Sequence, residues 1–215
     1  MQVWIEGETL DRQPTDVELE KLAQIMVILH GHSIFWNIPE TFERPHYNAE
    51  NLLCSLNQLK QMLPLSVMSS DNYKVLEKTT DKIVMVINSQ DKNGDTWGII
   101  HSDIHESNYV FNREKLSIID FSSCGFGFYL FDIAETFLHL MPKSREKLIT
   151  YYQQKRNLQG DYSELLEAFF IWAIIRNFAF LSKNINEHNE LAKTIPMVVE
   201  KFCRKYLKKE RFLFN

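Results

Sequence analysis

A chain of 215 residues with 45% hydrophobic and 24% charged residues has room for one large domain or two small lobes, and is too apolar for a disordered tail. Its 24 Lys and Arg against 28 Asp and Glu give a formal charge of -4, so no overall basic field draws a polyanion and sequence-wide nucleic-acid binding is disfavoured. Only 7 Gly and 6 Pro are too few for the turns of an all-β fold, and Cys54, Cys124 and Cys203 form no C-x-x-C pair, which gives no zinc spacing and fits a reducing compartment.

In chain order, Thr15 to His32 reads as a helix. Thr15 and Glu18 make a capping box, Leu22, Ile25, Met26 and Leu29 follow at helical spacing, and Gly31 is a stop. His30 and His32 then fall at the helix end, where they meet free carbonyls as caps. Asn48 to Met62 and Asp71 to Ser89 repeat the amphipathic pattern. After the turn-rich Asp91 to Asp95, the apolar Trp97-Gly98-Ile99-Ile100 has the character of a buried strand. Two further apolar runs between Tyr109 and Phe121 flank the polar Asn112 to Lys115, the composition of a hairpin loop.

Helices resume over Phe128 to Leu140, Ser144 to Leu158 and Ser163 to Ser182, and a last one runs past Pro196, which begins or kinks it. The aromatics Phe169, Phe170, Trp172, Phe178 and Phe180 read as core. The most apolar run, Ala168 to Leu181, is broken by Arg176 and Asn177 and falls short of the roughly 20 residues a membrane span needs. The first residues lack a secretory signal pattern. The expectation is a cytoplasmic, mainly α protein with a small β-hairpin and no membrane partner.

The stretch that carries chemistry is Ile99-Ile100-His101-Ser102-Asp103-Ile104-His105-Glu106-Ser107-Asn108, followed by the hairpin and Ile118-Ile119-Asp120-Phe121. It contains H-x-D-x-x-x-x-N. In phosphoryl transfer an Asp of such a loop takes the proton of the attacking hydroxyl, an Asn five positions on binds magnesium, and a later Asp beside a Phe holds metal that bridges the phosphates. Asp103, Asn108 and Asp120 fit those roles, provided the hairpin returns Asp120 to the loop's edge. A rival reading takes His101, Asp103 and His105 as ligands of a metallohydrolase, since imidazole and carboxylate suit zinc or iron.

The loop resembles that of the aminoglycoside phosphotransferase and choline kinase-like enzymes, which usually runs H-G-D-x-H-x-x-N. Here it is HSDIHESN, with Ser102 in place of the usual Gly and Glu106-Ser107 in place of Pro-Gly. Phe131-Asp132-Ile133-Ala134 is similar to the family's D-[IL]-A, where the acid is structural, and Ala23 to His30 to its L-A-x-x-L-H helix. Trp4-Ile5-Glu6-Gly7 resembles the end of its inter-lobe hinge, whose backbone contacts adenine. The resemblance implies a protein kinase-like C-lobe with Asp103 as base, His101 and His105 shaping the catalytic loop, and Asn108 and Asp120 as magnesium ligands. Ile5, Asn108 and Asp120 would together face the nucleotide, ATP or GTP.

Residues 1–9 are then a hinge remnant, and 10–215 a helical C-lobe with its catalytic loop at 99–108 and its metal segment at 117–122. The three residues ahead of Trp4 are too few for a nucleotide-covering β-lobe, the first lysine is Lys21 within a helix, and Gly125-Phe126-Gly127 is no phosphate loop. The N-lobe is expected to be absent or truncated, and a separate N-lobe chain or self-association to replace it. The acceptor is a small-molecule hydroxyl, as in an aminoglycoside, choline or a sugar. The acids Asp161, Glu164 and Glu167 are placed either to meet a cationic acceptor or to favour a helix start. An inert kinase-like binding module, or half of a split kinase, is the alternative.

Overall fold

Thr15 takes extended backbone angles and accepts from Glu18 N while the Glu18 carboxylate returns to Thr15 N, so the expected capping box opens α1 (Asp16–Phe35). The computed structural model describes residues 5–112, 115–158 and 160–215. Asn48 and Ser69 cap α2 (Ala49–Lys60) and α3 (Ser70–Asn88) through their side chains. The chain then forms β1 (Trp97–Ile100), β2 (Tyr109–Asn112), β3 (Lys115–Ile118) and β4 (Gly125–Phe128). After these come α4 (Tyr129–Thr136), a 3-10 turn over Phe137–His139, α5 (Pro142–Lys155) and α6 (Tyr162–Leu181). The chain ends in α7 (His188–Val198), a π-helical turn over Val199–Cys203 and α8 (Arg204–Leu207). The expected mainly helical chain with a small hairpin is what forms, with one addition. Gly125-Phe126-Gly127 lies in a strand, β4, which pairs antiparallel with β1 from Trp97 opposite Phe128 to Ile100 opposite Gly125.

Two compact units make up the described chain, one from the residues up to His46, Lys92–Tyr162 and Phe214, the other from Tyr47–Asp91, Ser163–Leu213 and Asn215. In the first, α1 packs on α5 and against β1, and the β2–β3 hairpin pairs Tyr109 with Ile118 and Asn112 with Lys115. Asn112 and Lys115 are therefore strand residues, and the Arg113 and Glu114 of the expected loop lie outside the described residues. The segment after the hinge-like motif lies along β2, because Glu8 and Phe111 exchange two backbone hydrogen bonds of 2.9 Å. Gly7, at φ 146, allows the approach: a Cβ there would stand 2.4 Å from Phe111 O.

Gly31 does not end α1, which continues to Phe35. A mid-helix glycine costs only about 1 kcal/mol, and the extra turn places Ser33 where its hydroxyl accepts from Ile99 N at 2.6 Å. His30 is consequently inside the helix and fully buried, not a cap.

The second unit is helical. Phe169, Phe170, Trp172 and Phe178 of α6 are buried as expected of core, while Phe180 is 70% exposed. Phe202 packs edge-on to Phe170 and lies beside Phe212, with centroids 5.3 and 5.2 Å apart. Pro196 sits inside α7, three residues before the π-helical turn, consistent with a proline that perturbs its helix. Glu167 is buried and receives Phe212 N at 2.9 Å and Arg211 Nη1 at 3.3 Å, so it serves the fold. No helix among the described residues is long and apolar enough to cross a membrane.

Candidate active site

β1 delivers its chain end at Ile100 into the loop from His101 to Asn108, and β2 carries it away. The loop starts with an unusual backbone. Ser102 is fully buried at φ 64, a left-handed conformation that non-glycine residues adopt at a cost. What holds it is Asp132 of α4, which is itself fully buried. Its carboxylate accepts from Ser102 N at 2.6 Å, His101 N at 3.2 Å and His30 Nε2 at 3.0 Å. His30 Nδ1 in turn lies 2.8 Å from the Tyr152 hydroxyl. Donation by His30 Nε2–H fixes the tautomer in which Nδ1 accepts from Tyr152.

Burial alone would push the Asp132 carboxyl up, but donation from His30 and the loop N–H groups outweighs it and holds the group below the usual carboxylate range. Burial pushes the His30 imidazole down. An ionised Asp132 beside a neutral His30 is the state these contacts favour.

Further along, the Asn108 side chain closes the loop on itself. Its Nδ2 lies 2.9 Å from Asp103 O, 3.2 Å from Asp103 Oδ2 and 3.0 Å from His105 Nε2. Asn108 Oδ1 has no hydrogen-bond partner among the described residues. The Asn108 carbonyl accepts from Ile119 N at 2.9 Å, and His101 Nε2 donates to Ile119 O at 2.9 Å. These bonds tie the chain end of β3 to both ends of the loop, so Asp120, the next residue, arrives at the loop's edge. Asp120 is exposed at φ 59, and donation from Ser122 holds its carboxyl below the ordinary range. The Phe121 ring lies 4.6 Å from that of His101.

A model of the phosphotransferase enzyme family matches residues 1–167. The chain belongs to that family. Among the curated proteins, an amicoumacin kinase of Bacillus subtilis (strain 168) is 25% identical over 93 residues, which span 43% of this chain and 25% of that protein. The fold is that of several solved kinases. A microcompartment-associated aminopropanol kinase matches with a TM-score of 0.78 at 18% identity, over 99% of this chain and 69% of its own. An amicoumacin kinase, solved with AMP-PNP, Ca2+ and Ami, matches at 0.72 and 14% identity over 97% of this chain and 64% of its own. The choline kinase of Cryptosporidium parvum Iowa II matches at 0.65 and 14% identity, over 96% and 71%. This chain thus spans about two thirds of these structures and a quarter of the curated relative.

Within this phosphotransferase-family fold, the residues singled out in the sequence are placed unevenly. Asp103, His105 and Asn108 are in mutual contact, and Asp120 is bound to them through Ile119. The metal-ligand group that the described residues bring together, with ligand atoms within 4.8 Å of one another, is His105, Glu106 and His139, so His101 and Asp103 are not gathered with His105 into the metallohydrolase ligand set. Ile5 lies three residues ahead of the Glu8–Phe111 bridge with an exposed side chain, and Trp4 lies outside the described residues. Sequence reasoning missed Tyr152, which no motif marks, and the inward role of His30, which the correct helix length would have revealed.

Proposed function

We propose that the chain carries the catalytic loop and the metal side of a small-molecule kinase, which moves the γ-phosphoryl of ATP or GTP to a hydroxyl acceptor such as an aminoglycoside, choline or a sugar. The observation that supports it most is the Asn108 clasp, because one amide holds Asp103 and leaves its own oxygen free beside the route to Asp120. Asp103, with its side chain 34% exposed, is the base: it takes the acceptor's proton as the acceptor oxygen bonds to the γ-phosphorus, and the bridging oxygen leaves with the nucleoside diphosphate. His101 and His105 shape the loop through Ile119 and Asn108.

Asn108 Oδ1 and the Asp120 carboxylate are oxygen donors of the kind Mg2+ takes, and would hold it against the phosphates. When bound, the ion neutralises charge on the transferring group. The backbone at Ile5 is the proposed adenine contact. For the clamp on the far side of the phosphates, a separate N-lobe chain or a self-associated copy is the proposed partner. In this reading the 215 residues alone are a weak kinase.

The test is nucleotide consumption with Mg2+ against a panel of alcohols, amino alcohols and aminoglycosides, with and without an added N-lobe polypeptide. Asp103→Ala is expected to cost about 10²–10⁴-fold in rate. Turnover unchanged by that substitution would overturn the assignment.

A further inference from the structure

Beside the loop, three side chains converge that the phosphoryl-transfer reading leaves unused as a group. His105 and Glu106 come from the loop and His139 from the 3-10 turn after α4. One donor atom from each lies within 4.8 Å of the other two. The imidazoles of His105 and His139 are stacked with centroids 5.0 Å apart and planes 27° from parallel, and His139 Nδ1 stands 3.4 Å from Glu106 Oε2. Donors on a tetrahedral zinc at 2.0–2.1 Å are about 3.3 Å from one another. The Glu106–His139 pair is already at that spacing, and His105 needs to close by no more than about 1.5 Å, within reach of a side-chain rotation.

We propose that His105, Glu106 and His139 form a binding site for a first-row divalent transition-metal ion, Zn2+ foremost, separate from the Asn108 and Asp120 oxygens. Two imidazoles and one carboxylate suit zinc and its neighbours and disfavour Mg2+ and Ca2+, which take oxygen. The cluster is held in place from behind. Gln13 donates through Nε2 to His139 O at 2.9 Å and accepts from Met141 N at 3.0 Å, which pins the turn that carries His139. It is also reachable, since Glu106 and His139 line an open cleft of about 330 Å3 with Asp11, Arg12, Gln13 and Tyr109.

Occupation has a structural consequence for the loop. A neutral imidazole accepts at one nitrogen only, so His105 accepts either at Nε2 from Asn108 Nδ2, 3.0 Å away, or at Nδ1 from Ser107 N, 3.3 Å away, and a metal on the accepting nitrogen displaces that bond. The metal therefore competes with the clasp that shapes the loop.

The experiment titrates the whole chain with Zn2+ by calorimetry, and with Co2+ by visible absorption, in the presence of excess Mg2+. Expected are one Zn2+ per chain, a Co2+ spectrum of low coordination number, and a shift of the Asn108 side-chain amide or the Ser107 backbone amide in the 15N-labelled protein. Glu106→Gln and His139→Gln, both at partly exposed positions, should each weaken Zn2+ binding by about 10-fold or more while the metal-free melting temperature stays close to wild type. Absence of Zn2+ binding, displacement by Mg2+, or binding equally tight in both variants would overturn the proposal.

Discussion

Asp132→Asn removes a charge but almost no volume, and so tests what fixes the loop. The carboxylate takes two backbone N–H groups and the His30 ring N–H, all without solvent. The amide keeps one acceptor oxygen and turns an NH2 toward at least one of those donors. A buried donor left unpaired costs about 1–3 kcal/mol. In a chain of this size each kcal/mol moves the melting temperature by roughly 2–4 °C, so a fall of about 2–12 °C is expected. Thermal unfolding of Asp132→Asn beside Asp120→Asn measures it, and the exposed Asp120 should shift the melting temperature far less. The His30 and Asp132 groups both sit below their free values, so the unfolded chain binds more protons and stability rises with pH. That stabilisation is complete above the free imidazole value of 6.5; the His30 part falls as pH drops below it, and the Asp132 part falls below 3.8. An Asp132→Asn protein within 0.5 kcal/mol of wild type (about the spread of neutral surface changes), with the same acid unfolding profile, would refute the reasoning.

Arg12 grips both oxygens of Glu18 at 2.8 and 2.9 Å, and this hydrogen bonding holds the Glu18 carboxyl at about 2. In Arg12→Ala the Glu18 titration, followed by NMR, should rise toward 4.5, and the stability that wild type loses as pH falls from 4.5 to 2 should be smaller. Gly98→Ala would place a Cβ 2.1 Å from Ser33 Oγ and 2.3 Å from the Tyr129 hydroxyl, so denaturant unfolding should show a loss of about 1–3 kcal/mol. Ser102→Gly relieves about 1–2 kcal/mol of left-handed strain and adds about 0.5–1 kcal/mol of unfolded-state entropy, so an equilibrium denaturation should show between no change and a gain of about 1.5 kcal/mol; a loss of several would show that the Ser102 side chain, not its backbone, holds the loop.

Local chemistry was legible wherever the deciding interaction lies within a few residues. The Thr15 box, the Asn48 cap, the Trp97–Ile100 strand and the hairpin return of Asp120 each rest on short-range pattern. What was not legible depends on partners far along the chain. Gly31 reads as a stop until Ser33 is seen to receive Ile99 N from 66 residues away. Gly125-Phe126-Gly127 looks like turn sequence because its strand character comes from β1 and from Pro45, whose carbonyl receives Phe126 N. His139 carries no motif at all, and its approach to Glu106 is created by the turn that ends α4.

The serine in the catalytic loop shows how a departure from the family's usual glycine is absorbed. Serine tolerates left-handed backbone angles less well than glycine, yet here the backbone keeps the left-handed value a glycine would take without cost. The strain is about 1–2 kcal/mol, whereas leaving the buried Ser102 and His101 N–H groups without Asp132 would cost about 1–3 kcal/mol each. The network therefore prevails over the strain. The loop's shape is dictated from α4, through Asp132 and the His30–Tyr152 chain behind it, and not by the conformational freedom of the residue in the loop. By the same argument, a substitution at Tyr152 that leaves His30 unpaired would reach Asp103 through two hydrogen bonds, His30 to Asp132 and Ser102 N to Asp132, and the one peptide link from Ser102, without touching the face where phosphoryl transfer is proposed.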